Sequence, residues 1–340
     1  MSYYPLISLC VPIYGTEKYI ERCACSLFEQ TYDNIEYIFV NDCTKDKSME
    51  ILENIIDRYP HQKRKIKIIN HEQNQGLAET RNTAIKSSSG DFIMWIDSDD
   101  YIDKKTVEMS VIRQLETNAD IVNFGCIKDS GHYKSIIKSL EYKDAKSQTL
   151  AILNRQASSN VWGRLIRRTL YTSNNILAEK GVNMGEDYHV MPRLMYFAKI
   201  TASLNLNLYY YDFTNSGSIS HHFTQENNRQ VWRAYDILYD FFKDKGNEYL
   251  DALQIACVSI VAMNLVVSYK SEARIFFYEE AKKRLSTVAK KHWKTQPLSK
   301  RAMFYLVNHP CVLFPYLGIA HTFRHLFLKI RHKLTICTKS

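Results

Sequence analysis

Three aspartates lie within four residues, directly after an apolar segment of the chain. Asp97, Asp99 and Asp100 follow residues 92–96, whose β-branched and aromatic side chains predict a buried strand. Open α/β sheets bind ligands at the carboxyl ends of their strands, and crowded carboxylates repel one another unless a cation lies among them. Mg²⁺ and Mn²⁺ prefer such oxygen ligands and commonly accompany phosphates. The cluster therefore predicts metal-assisted chemistry on a phosphorylated substrate, with a polar turn that caps the next helix as the alternative.

Other polar residues follow the ends of the first two predicted strands. Pro12 and Tyr14 come at the end of the first strand, and Asp42 comes directly after the second. A tyrosine can stack on a flat ring, and a carboxylate can accept hydrogen bonds from a nucleotide base or a ribose hydroxyl. An ordinary strand exit and a helix N-cap network are the structural alternatives.

Two predicted helices begin with charged residues. Arg81 lies one turn into the helix that follows Gly76, within reach of a phosphate. Glu186 and Asp187 begin a later helix, where the positive end of the helix dipole favours acidic side chains. Taken structurally, the acidic pair is a favourable first helical turn.

The first half of the chain alternates between short apolar strands and helical patterns. We predict strands at 6–11, 35–40, 66–70, 92–96 and 121–124, and helices at 16–30, 48–59, 77–87 and 104–117. This alternation implies a mostly parallel sheet covered on both faces. Later segments are a polar excursion at 128–145, a helix plus turn at 146–170, a turn and helix at 181–199, a strand at 204–211 and helical patterns from 225 onward.

The net charge of +9 is unevenly distributed along the chain. Residues 281–340 contain 13 Lys and Arg and no Asp or Glu, so the rest of the chain has a balance of −4. An acidic body with a basic end argues against nucleic acid as a partner and favours contact with an anionic surface. An apolar stripe beside basic residues at 323–334 predicts an amphipathic helix on a membrane surface, with a helix docked on the protein as the alternative.

The cysteines and the N-terminus predict a cytoplasmic protein. Eight cysteines form no Cys-x-x-Cys pair and no zinc-like spacing, and the first residues lack a basic start before a long apolar stretch. We therefore expect reduced thiols. The apolar residues 302–320 are interrupted by Pro310 and Pro315, which makes them a poor spanning helix.

The order of these segments resembles that of the family 2 glycosyltransferases of the GT-A fold. The motifs read V-P-I-Y at 11–14, V-N-D-C-T-K-D at 40–46, N-Q-G-L-A-E-T-R-N at 74–82, D-S-D at 97–99 and E-D at 186–187. The resemblance covers roughly residues 6–220. Residues 161–168 and 209–220 are similar to members that build bacterial capsule, lipopolysaccharide or exopolysaccharide chains.

The resemblance implies a GT-A fold, which is a Rossmann-like mixed, mostly parallel sheet with flanking helices, followed here by a helical C-terminal region. The catalytic domain would span residues 1–222, with a nucleotide-sugar half at about 1–127 and an acceptor half at about 128–222. The helical region would span 223–340 and end in a basic, membrane-associated tail at 281–340.

The resemblance also implies a role for each matching residue. Those roles are nucleotide binding for Pro12, Tyr14, Asp42, Arg81 and Asp97, ligation of Mn²⁺ or Mg²⁺ for Asp99 with Asp97, general base for Asp187 beside Glu186, a wall of the sugar site for Trp162, and a diphosphate or metal contact for His221 and His222. A polar surface loop is the alternative for the two histidines. Asn41 stands where the family often has aspartate, which weakens the base contact expected there.

The expected reaction is a single displacement with inversion at the anomeric carbon. A base would lie on the face opposite the donor's leaving group, and no nucleophilic carboxylate would lie on the donor side. The donor would be a nucleotide-diphosphate sugar, a UDP-sugar first, and the acceptor a hydroxyl of a glycan or lipid-linked glycan at the inner face of the cytoplasmic membrane. A catalytically silent nucleotide-sugar binding protein or scaffold and a sugar nucleotidyltransferase are the alternatives. No G-x-G-x-x-G follows the first strand, which excludes a dinucleotide dehydrogenase.

Overall fold

The computed structural model describes residues 4–131, 133–215, 224–270, 272–294 and 296–322, and of Trp293 only the backbone. The chain divides into two compact units. The first comprises the described residues at 4–149 and 159–215, and the second those at 150–158 and from 224 onward. The domain boundary predicted at residue 222 lies outside the described residues and stays a prediction.

The first unit begins with four parallel strands and three helices. These are β1 (Ile7–Ile13), α1 (Ile20–Phe28), β2 (Ile35–Asn41), α2 (Ser48–Arg58), β3 (Ile66–Asn70), α3 (Leu77–Ser87) and β4 (Phe92–Trp95). The strands lie side by side in the order β3-β2-β1-β4. All seven residues of β1 are buried, as expected of a parallel strand with both faces covered.

Hydrophobic spacing explains how the helices attach to this sheet. In α1, Ile20, Cys23, Ala24 and Leu27 are buried at intervals of three and four residues, so they form one apolar stripe. The stripe belongs to the hydrophobic core that also contains Leu9 of β1. Because these four strands are parallel, their carboxyl ends all lie at one edge of the sheet.

The rest of the first unit turns the sheet from parallel to mixed. Its elements are β5 (Tyr101–Ile102), α4 (Thr106–Thr117), β6 (Ile121–Asp129), β7 (Lys134–Ile137), α5 (Ala145–Leu153, whose last four residues belong to the second unit), β8 (Arg164–Arg167), α6 (Arg168–Thr172), α7 (Glu186–Phe197) and β9 (Thr201–Asp212). The strand order continues from β4 through β8, β6 and β9 to β5, and β7 pairs with β6. β8 is antiparallel to both β4 and β6, whereas β9 is parallel to β6.

Two segments differ from the sequence-based predictions. The helix plus turn expected at 146–170 contains β8, and the polar excursion expected at 128–145 contains the end of β6 and all of β7. The segment Arg164–Arg167 reads R-L-I-R, which neither alternates nor forms a continuous apolar run. Its conformation follows from pairing with β4 on one side and β6 on the other.

The second unit is helical in its described part. Its helices are α8 (Gln225–Phe242), α9 (Asn247–Ser268), α10 (Arg274–Leu285), α11 (Lys290–Lys294) and α12 (Leu298–Leu306), and residues 310–322 are also helical. Thr224 caps α8 because its side chain accepts a hydrogen bond from the Asn227 amide. The amphipathic helix predicted at 323–334 lies outside the described residues.

Helix α9 is the most apolar of these helices. Within the described ranges it is the one helix long and apolar enough to cross a membrane, and 56% of its most apolar window is buried inside the protein. It packs against α8, α10, α11 and α12. The central helix of a helical bundle has this same length and composition.

Candidate functional site

The three aspartates of the opening motif form a tight turn immediately after β4. The Asp100 amide donates a hydrogen bond to the Asp97 carbonyl oxygen at 2.9 Å, which closes the turn. The three carboxylates then point to three different sets of partners. The turn therefore separates three charges that the sequence places almost side by side.

Asp100 points into the protein. Its side chain is fully buried, and its carboxylate accepts hydrogen bonds from the Tyr209 hydroxyl at 2.6 Å and from the Asp212 amide at 2.8 Å. Burial, followed by the charges of Asp99 and Asp97, raises the pKa of Asp100 well above its usual range. Asp100 thus anchors the turn to the end of β9.

Asp99 lies on the other side of the turn. One carboxylate oxygen accepts a hydrogen bond from the Asn215 side-chain amide at 2.9 Å, and the Asp99 carbonyl accepts one from Arg22 at 3.2 Å. Burial, with the nearby charge of Asp97, raises the pKa of Asp99 to about 6. A divalent cation beside this carboxylate would offset both effects.

Arg81 of α3 joins the aspartate turn to the acidic pair of α7. One terminal nitrogen donates to Asp97 at 2.9 Å, and the other lies 3.2 Å from Glu186 and contacts Asp187. Burial by itself lowers the pKa of this buried guanidinium, but the three carboxylates raise it above its ordinary value. The sequence-predicted residues Arg81, Asp97, Glu186 and Asp187 therefore meet in one ion-paired cluster.

The acidic pair occupies the first turn of α7. The helix begins after Gly185, whose φ of +92° lies in the left-handed region that favours glycine. Burial, followed by the charge of Asp187, raises the pKa of Glu186 well above its usual range. Burial also raises the pKa of Asp187, although Arg81 opposes this rise. A buried carboxylate with a raised pKa is a stronger proton acceptor than an exposed one.

Side chains from α3 hold the loop that leads into α7. The Asn82 side chain exchanges two hydrogen bonds of 2.9 Å with the backbone of Ala178, and the Ala78 amide donates to the Asn183 side chain at 3.0 Å. A Cβ atom at Gly76, where φ is +86°, would lie 2.4 Å from Asn183. The sequence analysis missed Asn183, which carries no motif signal; Asn82 lay within the recognised N-Q-G-L-A-E-T-R-N segment.

Asp42 is a buried anchor at the end of β2. Its carboxylate accepts 2.8 Å hydrogen bonds from the Gln75 and Gly76 amides and lies 2.8 Å from His71 Nδ1. The other ring nitrogen of His71 is 2.9 Å from the Thr83 hydroxyl. Asp42 therefore orders the loop that precedes α3, and its predicted contact with a nucleotide stays a prediction.

The remaining predicted nucleotide residues lie at the end of β1. Pro12 is buried within the strand opposite Val40, and Tyr14 is 55% exposed beyond the strand end. The ring of Tyr14 is thus accessible for stacking. The Asn41 side chain, at the end of β2, donates to Asn70 and accepts from the Thr44 amide, so it connects β2 to β3 and to the loop that follows β2.

Trp162 packs on the aromatic end of β9. Its ring stacks on Tyr209 at a centroid distance of 4.6 Å and on Tyr211 at 5.4 Å. Tyr209 also binds the aspartate turn, so the predicted sugar-site residue and the turn share one neighbour. His221 and His222 lie outside the described residues, and their role stays a prediction.

The donor set fits a hard cation that arrives with a phosphorylated ligand. Among the residues that the structure describes, no group of three or more His, Cys, Asp or Glu side chains could hold a metal. Asp100 is buried and engaged by Tyr209 and Asp212, whereas Asp99 and Asp97 are only partly buried and are the carboxylates of the turn that a cation could reach. Mg²⁺ is usually bound in this way, through one or two carboxylates together with substrate phosphates.

The comparisons with known proteins identify the family and the fold. The model of glycosyl transferase family 2 matches residues 8–177. The uncharacterized glycosyltransferase EpsJ of Bacillus subtilis is 33% identical over 190 residues, which cover 54% of this chain and 54% of EpsJ. The glycosyltransferase GlyG of Streptococcus pneumoniae is 28% identical over 277 residues, which cover 78% of this chain and 88% of GlyG. The match to EpsJ thus spans about half the length of that relative.

Solved structures show the same fold. Staphylococcus aureus TarS 1–349 in complex with UDP-GlcNAc has a TM-score of 0.71 at 18% identity, covering 94% of this chain and 92% of that chain. The mannosyltransferase PcManGT from Pyrobaculum calidifontis, in complex with GDP-Man and Mn²⁺, has a TM-score of 0.55 at 14% identity, covering 96% of this chain and 89% of that chain. The likeness to TarS confirms the predicted GT-A fold with a helical C-terminal region.

Proposed function

Because the chain belongs to glycosyl transferase family 2, we propose that it transfers a sugar from a nucleotide-diphosphate donor to a hydroxyl group of an acceptor. The observation that carries this proposal is the ion-paired cluster of Arg81, which contacts Asp97 through one nitrogen and the Glu186–Asp187 pair through the other. A transferase needs a phosphate-binding side and a base within a few ångströms of each other. The span of one guanidinium group meets that requirement.

Asp187 is the proposed general base. Its raised pKa makes it a better proton acceptor, and its pairing with Arg81 favours the ionised form that can accept a proton. As the acceptor oxygen bonds to the anomeric carbon, its proton passes to the Asp187 carboxylate. The bond from the anomeric carbon to the diphosphate oxygen breaks at the same time, and its electron pair leaves with the diphosphate. Attack opposite the leaving group inverts the anomeric centre.

Asp99, assisted by Asp97, is proposed to hold Mn²⁺ or Mg²⁺. Their two carboxylates form the donor set described above. Burial, with the nearby charge of Asp97, raises the pKa of Asp99 to about 6, and a bound cation would oppose this rise. When bound, such a cation neutralises the charge that develops on the departing diphosphate.

A UDP-sugar is the proposed donor. The structures of TarS with UDP and with UDP-GlcNAc support this choice at the level of fold. Tyr14, exposed at the end of β1, would stack on the base. A hydroxyl of a glycan or lipid-linked glycan in cell-surface polysaccharide synthesis is the proposed acceptor, in line with the similarity of residues 161–168 and 209–220 to surface-polysaccharide enzymes.

The C-terminal region is proposed to bring the enzyme to the inner face of the cytoplasmic membrane. In α12, Leu298 and Tyr305 are 80% and 66% exposed and line a surface pocket of about 250 Å³ with Lys294 and Arg301. Exposed apolar side chains beside cations suit an anionic bilayer surface. Sedimentation of the full chain with phosphatidylglycerol vesicles, but not with phosphatidylcholine vesicles, is the expected result. Equal recovery of the Leu298→Ser/Tyr305→Ser variant with the anionic vesicles would remove α12 from this role.

Ligand binding and transfer by Asp187→Asn test the enzymatic proposal. We expect UDP or one UDP-sugar to raise the melting temperature, because such ligands bind only the native state. This rise should be larger with Mn²⁺ than without it. Asp187→Asn should keep this shift and lose transfer. Transfer at the wild-type rate by Asp187→Asn would overturn the base assignment. Nucleotide binding without transfer by the wild type, across a broad acceptor panel, would favour the binding-protein alternative.

A further inference from the structure

We infer that Tyr209 is a positioning residue that holds the aspartate turn in its metal-binding conformation and joins it to Trp162. The inference rests on the proposed role of Asp99 and Asp97 in binding Mn²⁺ or Mg²⁺. Tyr209 itself is 0% exposed, so it acts through these residues and not by touching the substrate.

The Tyr209 hydroxyl contacts both ends of the turn. It accepts a hydrogen bond from the Asp97 amide at 3.1 Å and donates one to the Asp100 carboxylate at 2.6 Å. The Asp212 amide, three residues further along β9, donates to the other oxygen of Asp100 at 2.8 Å. Strand β9 therefore holds the turn at its first and last residues.

This attachment determines which carboxylates face outward. Asp100 is turned inward by its two partners, so Asp97 and Asp99 are the two carboxylates left to contact Arg81 and Asn215. Without the Tyr209 hydroxyl, the Asp97 amide loses its partner and the buried Asp100 carboxylate loses its hydroxyl donor. A buried polar group that loses its partner costs free energy, which a change in the turn conformation would relieve.

The other face of the same residue meets the proposed sugar site. The Tyr209 ring stacks on Trp162 at a centroid distance of 4.6 Å and an interplanar angle of 13°. One side chain thus sets the turn through its hydroxyl and supports Trp162 through its ring. Replacing tyrosine by phenylalanine separates these functions, because the ring remains and the hydroxyl is lost.

The test compares Tyr209→Phe with Tyr37→Phe in the full chain. Tyr37 is a matched control, since it is 1% exposed and its hydroxyl donates to the Leu27 carbonyl oxygen at 3.3 Å, in the core of β2. Electron paramagnetic resonance of free Mn²⁺, in the presence of UDP, measures the dissociation constant of the metal. Loss of a group that orients metal ligands commonly costs 10–100-fold in metal affinity, so we expect about a tenfold rise for Tyr209→Phe and none for Tyr37→Phe.

Hydrogen exchange supplies a readout that needs no metal. The Asp97 amide should exchange faster in Tyr209→Phe than in the wild type, because its acceptor is gone, and Tyr37→Phe should not change it. Faster exchange with unchanged Mn²⁺ affinity would overturn the inference. Equal increases in the Mn²⁺ dissociation constant for both tyrosine variants would overturn it as well. A wild type that binds UDP equally with and without Mn²⁺ would instead overturn the metal part of the proposed function, and the role of Tyr209 toward a metal with it.

Discussion

Replacing Arg81 with methionine should strongly destabilise the first unit. The substitution keeps a long apolar side chain but leaves Asp97, Glu186 and Asp187, whose side chains are 25%, 9% and 17% exposed, without their shared cation. Removing one partner of a buried ion pair costs about 3–5 kcal/mol. At about 2–4 °C per kcal/mol for a domain of this size, the melting temperature should fall by roughly 6–20 °C.

The loss should depend on pH, with a sign given by the pKa shifts of the acidic pair. Burial raises the pKa of both Glu186 and Asp187, so these groups take up protons at a higher pH than ordinary carboxyl groups. In Arg81→Met the unpaired charges are largest at high pH and are neutralised as the pH falls through the raised pKa values. The difference in unfolding free energy between wild type and variant should therefore be larger at about pH 8 than at about pH 5.

Urea denaturation followed by tryptophan fluorescence, at both pH values, measures this difference. Arg58→Met is the matched control, because Arg58 pairs with Glu21 on the surface, where both side chains are more than half exposed. Exposed pairs contribute little, so the control should unfold like the wild type. Arg81→Met with wild-type stability at both pH values would refute the assignment of Arg81 as the cation that holds the acidic cluster together.

Three further predictions concern the frame and the nucleotide side of the site. Burial raises the pKa of Glu36, but hydrogen bonds from Lys67, Ser8 and Ser89 lower it to about 2. The stabilising effect of the Glu36 carboxylate is therefore present above its unfolded pKa of roughly 4.3 and is lost as the pH falls toward 2. Urea denaturation across that pH window should show a shallower pH dependence for Glu36→Gln than for the wild type. Gly76→Ala should lower the urea midpoint, because its Cβ would meet Asn183, and adding Asn183→Ala should recover only part of the loss, since the φ of +86° remains unfavourable. Tyr14→Ala should weaken UDP binding in titration calorimetry by about 1–3 kcal/mol, the usual value of stacking on one base, and equal affinity would exclude stacking by Tyr14.

The sequence determines the order of the strands and helices that build the first half of the sheet. The strand Ile66–Asn70 and the helix Leu77–Ser87 have the predicted bounds. Apolar periodicity and turn residues are local signals, so they can be read from the sequence without the fold. The motif order likewise identified the family, since motifs at strand ends record where a parallel sheet meets its ligand. Local patterns were sufficient for these conclusions.

Two short strands, β7 and β8, were not predicted from local patterns. The four residues Arg164–Arg167 form β8 because β4 and β6 pair with them from both sides, and those partners are about 70 and 40 residues away. The same holds for Lys134–Ile137, which pairs with the end of β6. Such strands exist through contacts that only the folded chain makes.

The direction of each carboxylate was decided by tertiary structure alone. Residue type and spacing alone did not distinguish Asp97, Asp99 and Asp100, and only the family resemblance assigned the cation to Asp99 with Asp97. Folding brings the Tyr209 hydroxyl to Asp100 and the Arg81 guanidinium to Asp97, from positions far apart in the chain. Residue types and spacing thus indicated which chemistry to expect, whereas long-range hydrogen bonds and burial decided that Asp100 supports the turn and that Asp97 and Asp99 contact Arg81 and Asn215.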